Sequence, residues 1–440
     1  MSVAPARRAA FKVIRRVCEQ GAFADRALHT AAAGLDARDR ALAMVLAYGT
    51  VQRLRTLDHL LTGLTRRPLA QLEPAVRAAL RLGTYQIVFL GGVSDYAAVN
   101  DSVELVKPAS AGGAALVNAV LRRASREAPA RFAELDDRTV RHAAVLHSVP
   151  DWLAELWWRE LGAQAARAQL ATVNMPAESA IRVNTLRSTT AEVRAALPAG
   201  SAARTAPDWV SGPGLPQLPE VLVLGGPFDA FGSALFKDGA LMPQSRGSAA
   251  VARVLGPQPG ERVLDLCAAP GAKTTHMAAM MAGEGELVAV EKHPGRARAL
   301  AETCRQLGAG QVRVLPLDAR GFTDPRPFDR VLVDPPCSGL GTLQSRPDLR
   351  WQPGRGALAE LIRLQDQLLR VGAGQLRPGG TLVYSVCTIS RGESEEVIDR
   401  FLAAPGHEDF RSEGRWQLLP SLEHTDGFFI ARLSRSVRAR

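Results

Sequence analysis

Two of the five cysteines, Cys337 and Cys387, each follow a predicted β-strand in a motif that could perform covalent chemistry. The first lies in the run Asp334-Pro-Pro-Cys-Ser-Gly339 and the second in Tyr384-Ser-Val-Cys-Thr-Ile389. The common role of an isolated cysteine is that of a small buried hydrophobe. Because the two preceding strands are expected to be neighbours in one sheet, both sulfurs should face the same cleft, where a thiolate serves as a nucleophile.

A sulfur nucleophile is required to methylate C5 of a pyrimidine, since that carbon is not nucleophilic in the intact aromatic ring. Thiolate addition at C6 makes C5 an enamine-like carbon that attacks a methyl donor, after which a base removes the C5 proton and the thiol leaves. A free thiol has a pKa of about 8.5 and is mostly protonated at neutral pH. Asp334 is therefore expected to contact N3 of the base, and Lys273 is expected to add positive potential.

The methyl donor is predicted from residues 263–273, in which an apolar run stops at an acidic residue and enters a turn of small residues. This pattern indicates a buried parallel strand, a ligand loop and a helix whose N-terminus lies beside the ligand. Ala272 before Lys273 and the lack of a glycine at Cys267 exclude a phosphate-binding loop, and the dinucleotide-binding G-x-G-x-x-G is absent. S-adenosyl-L-methionine, a nucleoside ligand without phosphates, fits this loop best. The predicted cofactor-binding loop comprises Cys267, Ala268, Ala269, Pro270, Gly271, Ala272 and Lys273.

Four acidic residues stand at the ends of successive predicted strands, which is where ligands of open α/β sheets lie. They are Asp265, Glu291, Asp318 and Asp334. Glu291 is expected to accept hydrogen bonds from both ribose hydroxyls, and Asp318 to accept one from the adenine amino group. A single carboxylate at a strand end is more often a helix cap or a loop residue, but four in series favour a cofactor site.

The elements that must position these residues alternate between strand and helix from residue 239 onward, which predicts a doubly wound, mostly parallel sheet. Strands are predicted over 287–291, 312–315, 328–334, 381–385 and 427–432, with helices over 294–307 and 358–376. The predicted fold class is α/β, with a Rossmann-like methyltransferase domain that depends on S-adenosyl-L-methionine at residues 239–440.

The composition favours a polyanionic partner. The chain of 440 residues has a net charge of +10, and residues 1–130 contain 18 basic against 10 acidic side chains. The basic excess is therefore mostly N-terminal, although an arginine-rich surface without a ligand is the alternative. No apolar run approaches the length of a membrane span and the N-terminus lacks an apolar leader, which predicts a cytoplasmic protein without membrane contact. The cysteines form no C-x-x-C pair, so neither a metal site nor a disulfide framework is expected.

Two regions precede the α/β domain. Residues 1–130 have helical periodicity and are predicted to form an all-α bundle. Residues 131–238 are expected to form a linker and a small α+β module for RNA recognition, with a strand over 181–186 and a helix over 188–197. Arg182 and Asn184 in that strand are candidates for RNA contact, and ordinary strand residues are the alternative.

Several motifs resemble those of a known family. Residues 265–273, the run 334–339 with Arg346, Asp348 and Trp351, and the run 384–389 with Glu393, Glu395 and Glu396 are similar to the RNA cytosine-C5 methyltransferases of the RsmB (Sun/Fmu) family. The N-terminal region resembles the NusB-like RNA-binding domain in the runs Phe11-Lys-Val-Ile14, Leu46-Ala-Tyr-Gly49, Leu82-Gly-Thr-Tyr-Gln86 and Ala98-Val-Asn-Asp-Ser-Val103. The resemblance covers nearly the whole chain and favours, within that family, the enzymes that modify 16S ribosomal RNA.

The resemblance implies roles for individual residues. Cys387 would be the nucleophile, and Cys337 would assist release of the methylated product. The cofactor contacts would come from residues 267–273, Glu291, Asp318 and Asp334.

Three positions depart from the family pattern. Ala272 replaces the more usual second glycine, Glu291 replaces an aspartate, and Ser245 falls where an acidic residue is commoner. The first two changes are small enough to keep the binding mode.

We expect an enzyme that transfers a methyl group from S-adenosyl-L-methionine to C5 of a cytosine in ribosomal RNA, after extruding the base from its stack. A transfer RNA substrate is the nearest alternative. A non-catalytic RNA-binding ribosome assembly factor with a vestigial methyltransferase fold is a second alternative. A methyltransferase of proteins or small molecules is a third, which the basic N-terminal region and the paired thiols disfavour.

Overall fold

A computed structural model describes residues 3–201, 203–205, 214–226, 228–352 and 354–437. The chain forms two compact units, one of Met1–Pro176 with Leu343–Gly354 and one of Ala177–Thr342 with Arg355–Arg440. The division into three domains that the sequence suggests stays a prediction. No helix among these described residues combines the length and the apolar character that crossing a membrane requires.

The first unit is helical, as the periodicity of residues 1–130 predicts. Its core includes Val13, Ile14, Leu46, Leu80 and Leu121, which are buried together. Short 3-10 turns occur at Leu69–Gln71 and Pro347–Trp351. Its helices are α1 (Pro5–Gln20), α2 (Ala24–Ala31), α3 (Ala37–Gln52), α4 (Leu54–Leu61), α5 (Pro74–Phe89), α6 (Asp95–Val106), α7 (Ala111–Ala133), α8 (Val140–Leu146), α9 (Asp151–Leu161) and α10 (Ala163–Thr172).

The segment Leu343–Gly354 packs within the first unit through a fully buried arginine. Arg350 donates hydrogen bonds to the carbonyl oxygens of Val173 at 2.8 Å and Leu343 at 3.0 Å, and to Oδ1 of Asn174 at 2.8 Å. The indole of Trp351 donates to the carbonyl oxygen of Val51 at 2.8 Å. Removal of a buried guanidinium would leave these acceptors unpaired, so the segment is fixed to the helices.

The second unit contains a small antiparallel sheet with the strand order β2-β3-β1-β4. Its strands are β1 (Ala180–Val183), β2 (Ala203–Thr205), β3 (Val221–Leu224) and β4 (Leu241–Pro243), with helices α11 (Thr190–Ala196) and α12 (Ala234–Lys237). Ile181, Val183 and Leu222 form its apolar core with Val193 of α11. The predicted strand over 181–186 and helix over 188–197 are present as β1 and α11, and each is shorter than predicted.

The two candidate RNA contacts, Arg182 in β1 and Asn184 directly after it, are structural residues. Arg182 is fully buried and donates to Oε1 of Gln244 at 2.7 Å and to Oγ1 of Thr275 at 3.0 Å. Asn184 is 1% exposed and donates to the carbonyl oxygens of Gly239 at 2.8 Å and Leu307 at 2.7 Å. Both side chains satisfy buried polar groups, so neither is available to bind RNA.

The same unit contains a seven-stranded sheet with the order β10-β11-β9-β8-β5-β6-β7. The five strands β5 to β9 pair in parallel, whereas β11 pairs antiparallel with β9 and β10. The strands are β5 (Arg262–Leu266), β6 (Glu286–Val290), β7 (Val312–Leu315), β8 (Phe328–Val333), β9 (Leu376–Val386), β10 (Phe410–Leu418) and β11 (Phe428–Arg435). The predicted doubly wound, mostly parallel sheet is confirmed, although β10 is absent from the sequence prediction.

Helices cover both faces of this sheet, which leaves its central strands buried. Leu264, Val288 and Val331 contribute to one apolar layer, and Val263 and Leu287 to the other. The helices are α13 (Arg246–Leu255), α14 (Ala272–Met280), α15 (Pro294–Gln306), α16 (Arg355–Gln375), α17 (Glu395–Ala403) and α18 (Pro420–Glu423). Ser245 is the N-cap of α13, where its hydroxyl accepts from the backbone N–H of Ser248 at 3.4 Å.

Candidate active site

The two thiols lie together at the carboxyl edge of the large sheet. Cys337 follows β8 by four residues and Cys387 follows β9 directly, and their Sγ atoms are 3.2 Å apart. β8 and β9 are parallel neighbours, so their ends meet at one edge as expected from the sequence. The backbone of the second loop is fixed by a hydrogen bond from Gly341 N–H to the carbonyl oxygen of Cys387 at 3.0 Å.

Only one of the two sulfurs can readily carry a negative charge. The hydrogen bond with Cys387, together with burial and the charge of a Cys387 thiolate, raises the pKa of Cys337 well above its usual value. Two anions at this separation repel each other strongly. A negative charge on Cys387 therefore keeps the proton on Cys337, whose thiol can then donate to the Cys387 sulfur.

An ion pair stands beside the sulfurs. Nζ of Lys273, in the first turn of α14, lies 2.7 Å from Oδ2 of Asp334, and the Ser385 hydroxyl donates to Oδ1 at 2.8 Å. Burial acts to lower the pKa of Lys273, but the carboxylate of Asp334 and the charge of a Cys387 thiolate outweigh it, so this pKa is raised. The ammonium group thus stays charged next to both the carboxylate and the thiolate.

A buried carboxylate connects the two cysteine loops. Glu393 accepts hydrogen bonds from Ser338 and Thr388, the residues that directly follow Cys337 and Cys387. The sequence contains this glutamate within the same motif as Cys387 but gives no indication of its partners. The structure therefore adds a residue to the site for which the sequence predicted no role.

The loop after β5 has the shape that close approach of a ligand to the backbone requires. Cys267 has φ of 66° and Gly271 has φ of 106°, both in the left-handed region. A side chain at Gly271 would place its Cβ 2.6 Å from Cδ1 of Leu300, so a glycine is needed there. Burial raises the pKa of the Cys267 thiol to about 12, so this cysteine stays protonated and offers mainly its backbone.

Asp265 lies inside β5 and is almost completely buried. Its Oδ2 accepts a hydrogen bond from the Thr274 hydroxyl at 2.7 Å, while Oδ1 is buried without a partner among the described residues. Burial raises the pKa of this carboxyl group to about 7. An orphaned carboxylate oxygen at the edge of a cofactor loop is compatible with a polar or cationic ligand.

Glu291 directly follows β6 and is 3% exposed. Its Oε1 accepts from the backbone N–H of His293 at 2.9 Å, and its Oε2 lies 3.4 Å from Nη2 of Arg296. Arg296 also donates to the carbonyl oxygen of Ala269 at 2.8 Å. The arginine therefore links this carboxylate to the loop after β5, a connection that the sequence does not predict.

Asp318 follows β7 and caps a short 3-10 turn, Ala319–Gly321. Its oxygens accept hydrogen bonds from the guanidinium of Arg320, with a closest distance of 2.6 Å, and Lys292 Nζ lies 3.1 Å away. The pKa of Asp318 is held well below its usual value by the Arg320 hydrogen bonds. The residue lines an open cavity of about 670 Å³, and its predicted contact with adenine stays a prediction.

The strand order and the small-residue loop after the central strand define the class of protein. A seven-stranded Rossmann-like sheet with carboxylates in the last residues of β5 and directly after β6 and β8 is typical of methyltransferases that use S-adenosyl-L-methionine. The left-handed glycine and the unpaired Oδ1 of Asp265 fit a nucleoside ligand without phosphates.

Comparisons with known proteins agree with this class. The family described as 16S rRNA methyltransferase RsmB/F matches residues 252–434, and the NusB family matches residues 4–126. A Synechocystis protein named probable ribosomal RNA small subunit methyltransferase B is 36% identical and covers 98% of this chain and 99% of its own. The ribosomal RNA small subunit methyltransferase B of Thermus thermophilus is 37% identical over 90% of this chain and 89% of its own. The crystal structure of PH0851 has a TM-score of 0.79 at 26% identity and covers 99% of this chain and 100% of its own.

The chain therefore belongs to the RsmB family of ribosomal RNA methyltransferases, with a NusB-family region at its N-terminus. Its cofactor is S-adenosyl-L-methionine, as the loop after β5 predicts.

Proposed function

We propose that this protein methylates C5 of a cytosine in 16S ribosomal RNA, in the cytoplasm, through a covalent bond between Cys387 and C6 of the base. The observation that carries the proposal is the 3.2 Å separation of Cys337 and Cys387 beside the Lys273–Asp334 ion pair. Methylation of an exocyclic amine or of a ribose hydroxyl needs no sulfur nucleophile, whereas C5 chemistry does.

The first step is addition of the Cys387 thiolate to C6. The positive charge of Lys273 stabilises the thiolate before it reacts, and the thiol of Cys337 donates to it. As the C6–S bond forms, electrons move toward N3, which takes up a proton. Lys273 supplies this proton through the Asp334 carboxylate, to which its Nζ is hydrogen-bonded, so Asp334 ends the step as it began and Lys273 becomes neutral.

When bound, S-adenosyl-L-methionine supplies an activated methyl group to C5, and the loop 267–273, Glu291 and Asp318 are the residues that would hold it. Ribose hydroxyls are suitable donors to the Glu291 carboxylate, which is buried at the end of β6. The adenine amino group would compete with Arg320 for Asp318.

Product release follows from the same pair of sulfurs. Once Cys387 is bonded to C6 it carries no charge, so the first cause that raises the pKa of Cys337 is removed. Cys337 can then lose its proton to solvent and take the proton from C5. The C5–H electrons re-form the C5–C6 double bond, the C6–S electrons return to Cys387, and N3 returns its proton through Asp334 to Lys273.

Support for a small-subunit substrate comes from the names of the relatives and from the N-terminal region. The two relatives are named for the ribosomal small subunit, and they align with this chain over most of their length. Residues 1–130 hold 18 basic and 10 acidic side chains, which suits binding to a nucleic acid backbone.

The test is bisulfite sequencing of 16S ribosomal RNA and transfer RNA after incubation with the protein and S-adenosyl-L-methionine. We expect one or a few cytosines of 16S RNA to resist conversion only when the protein is present. Protection of cytosines in transfer RNA alone would show that transfer RNA, and not 16S ribosomal RNA, is the substrate. Methyl transfer from labelled cofactor without protected cytosines would refute C5 chemistry, and RNA binding without any transfer would favour an assembly factor.

A further inference from the structure

Glu393 is a carboxylate in an unusual place, since it is fully buried and both of its oxygens are occupied by neutral donors. It ends the 3-10 turn Arg391–Glu393, which follows the Cys387 loop. An ionised carboxylate that is removed from water is costly unless hydrogen bonds satisfy it. The hydrogen bonds that satisfy the Glu393 carboxylate therefore also connect the segments that provide the donors.

The donors come from both cysteine loops. Oε1 accepts from the backbone N–H of Ser338 at 2.8 Å, and Oε2 accepts from the Ser338 hydroxyl at 2.5 Å and from the Thr388 hydroxyl at 3.0 Å. The two hydroxyl oxygens are themselves 2.9 Å apart. Ser338 is adjacent to Cys337 and Thr388 is adjacent to Cys387, so a shift of this carboxylate would move both sulfurs.

Two further residues fix Glu393, one at its carboxylate and one at its main-chain carbonyl group. The Gln365 side chain, on α16, donates to Oε1 at 3.0 Å and to the carbonyl oxygen of Pro336 at 3.0 Å. The hydroxyl of Tyr384, on β9, donates to the carbonyl oxygen of Glu393 at 2.7 Å. Gln365 and Tyr384 are fully buried. Glu393 and its hydrogen-bond partners Ser338, Thr388, Gln365 and Tyr384 are called the hub below. The hub connects α16, β9 and both cysteine loops.

We propose that Glu393 is a positioning residue that fixes the separation of the two sulfurs and keeps the proton on Cys337, so that Cys387 carries the negative charge. Four charged or titratable groups surround this pair, namely Glu393, Asp334, Lys273 and Tyr384. Cys337 faces Cys387, Glu393 and Asp334, and the positive charge of Lys273 lies near Cys387. The assignment rests on the proposed function only for the statement that Cys387 is the attacking sulfur.

Electrostatics agrees with the geometry. After the Cys387 hydrogen bond, burial and the Cys387 charge, the negative charge of Glu393 is a further cause that raises the pKa of Cys337. The negative charge of Glu393 thus adds to the causes that keep the proton on Cys337 when the two sulfurs are 3.2 Å apart.

The test measures the alkylation of each cysteine by iodoacetamide between pH 6 and pH 9.5 in the full-length protein, with peptide mass spectrometry to separate the sites. In the wild type we expect Cys387 to react at lower pH than Cys337. In Glu393→Gln, which keeps the side-chain volume, we expect the Cys337 profile to move to lower pH. The ratio of Cys337 to Cys387 alkylation at pH 8 should rise several-fold.

Two matched variants separate charge from packing. Glu393→Asp keeps the charge but shortens the side chain, so the Cys337 profile should stay closer to that of the wild type. Glu413→Gln makes the same chemical change at a carboxylate that is 41% exposed and pairs with Arg432, and it should leave both profiles unchanged. Wild-type profiles for both cysteines in Glu393→Gln would overturn the proposal.

Kinetics supply a second readout. In Glu393→Gln we expect kcat for methylation to fall about 10- to 100-fold because the sulfurs lose their alignment, with KM for RNA nearly unchanged. A rise in KM at constant kcat would contradict a positioning role. If Glu393→Gln does not fold, Thr388→Val removes one link of the hub and should shift the alkylation ratio in the same direction. The alkylation assay needs neither RNA nor methyl transfer, so a wrong assignment of the reaction and a wrong role for Glu393 give different results.

Discussion

The two sheets of the second unit use polar side chains in opposite ways. In the seven-stranded sheet, Asp334, Cys337 and Cys387 gather at one edge, where the two sulfurs contact each other. In the four-stranded sheet, Arg182 and Asn184 point into the protein and satisfy buried carbonyl and hydroxyl groups. The sequence suggested a functional role for both sets of residues. The structure brings only the first set together in one site.

The difference follows from strand direction. Parallel neighbours present their carboxyl ends at the same edge, so residues that follow different strands meet there. Antiparallel neighbours alternate, so the carboxyl end of β1 lies at the edge opposite to those of its neighbours β3 and β4. A polar residue in a small antiparallel sheet is therefore better tested for a structural role before a binding role is assigned.

The first prediction removes the sulfur that we expect to attack. Cys387→Ala should lower kcat at least ~10³-fold, because the sulfur that bonds to C6 is removed. Affinity for S-adenosyl-L-methionine, measured by isothermal titration calorimetry, should be unchanged. Substantial remaining turnover would show that Cys387 is not the nucleophile, so the two sulfurs would no longer have different assigned roles.

The second prediction removes the other sulfur. Cys337→Ala should also abolish turnover, but with accumulation of a covalent protein–RNA complex, because no base remains to remove the C5 proton. The complex should survive denaturing gel electrophoresis and should be absent in the double variant with Cys387→Ala. Free protein alone on the gel would contradict the release role of Cys337.

The third prediction concerns the small sheet. Asn184→Ala should lower the free energy of unfolding by about 2–4 kcal/mol, because the buried carbonyl groups of Gly239 and Leu307 lose their donor. Methyl transfer per folded molecule should remain close to that of the wild type. Thr185→Ala, at an exposed neighbour, is the matched control and should cost little in urea denaturation. Loss of RNA affinity without loss of stability would restore Asn184 as a contact.

The fourth prediction compares how pH changes the free energy of unfolding through two buried groups. One is His276, whose partner Glu220 directly precedes β3 of the small sheet, and the other is Asp265 in β5. His276 is hydrogen-bonded to Glu220 at 2.7 Å, and burial lowers its pKa from 6.5 to about 4. Between these values the unfolded chain binds more protons than the folded one, so stability falls as the pH drops from 6.5 to 4. His276→Gln should reduce this fall in urea denaturation.

Asp265 should act in the opposite direction. Burial raises its pKa from 3.8 to about 7, so between these values the folded protein binds more protons and stability falls as the pH rises. Asp265→Asn should reduce that fall. Identical pH dependence of the wild type and either variant would mean that these buried groups do not titrate as described.

The catalytic edge was predictable from local patterns. The alternation of strands and helices after residue 239 was sufficient to place Asp334, Cys337 and Cys387 at neighbouring strand ends. The loop 267–273 was recognisable because small residues after a buried strand have few other uses. The strand β10 was missed because residues 410–418 alternate poorly between apolar and polar types.

The amino-acid sequence by itself determined the elements and their order, because hydrophobic periodicity and turn residues act over a few neighbouring positions. It also determined which residue types stand at the strand ends. Only the tertiary structure decided that Arg182 and Asn184 serve buried acceptors, and that Glu393 joins the loops of Cys337 and Cys387. Those hydrogen bonds join groups far apart in the chain or depend on how loops are packed, and neither distance nor burial is encoded in a local pattern.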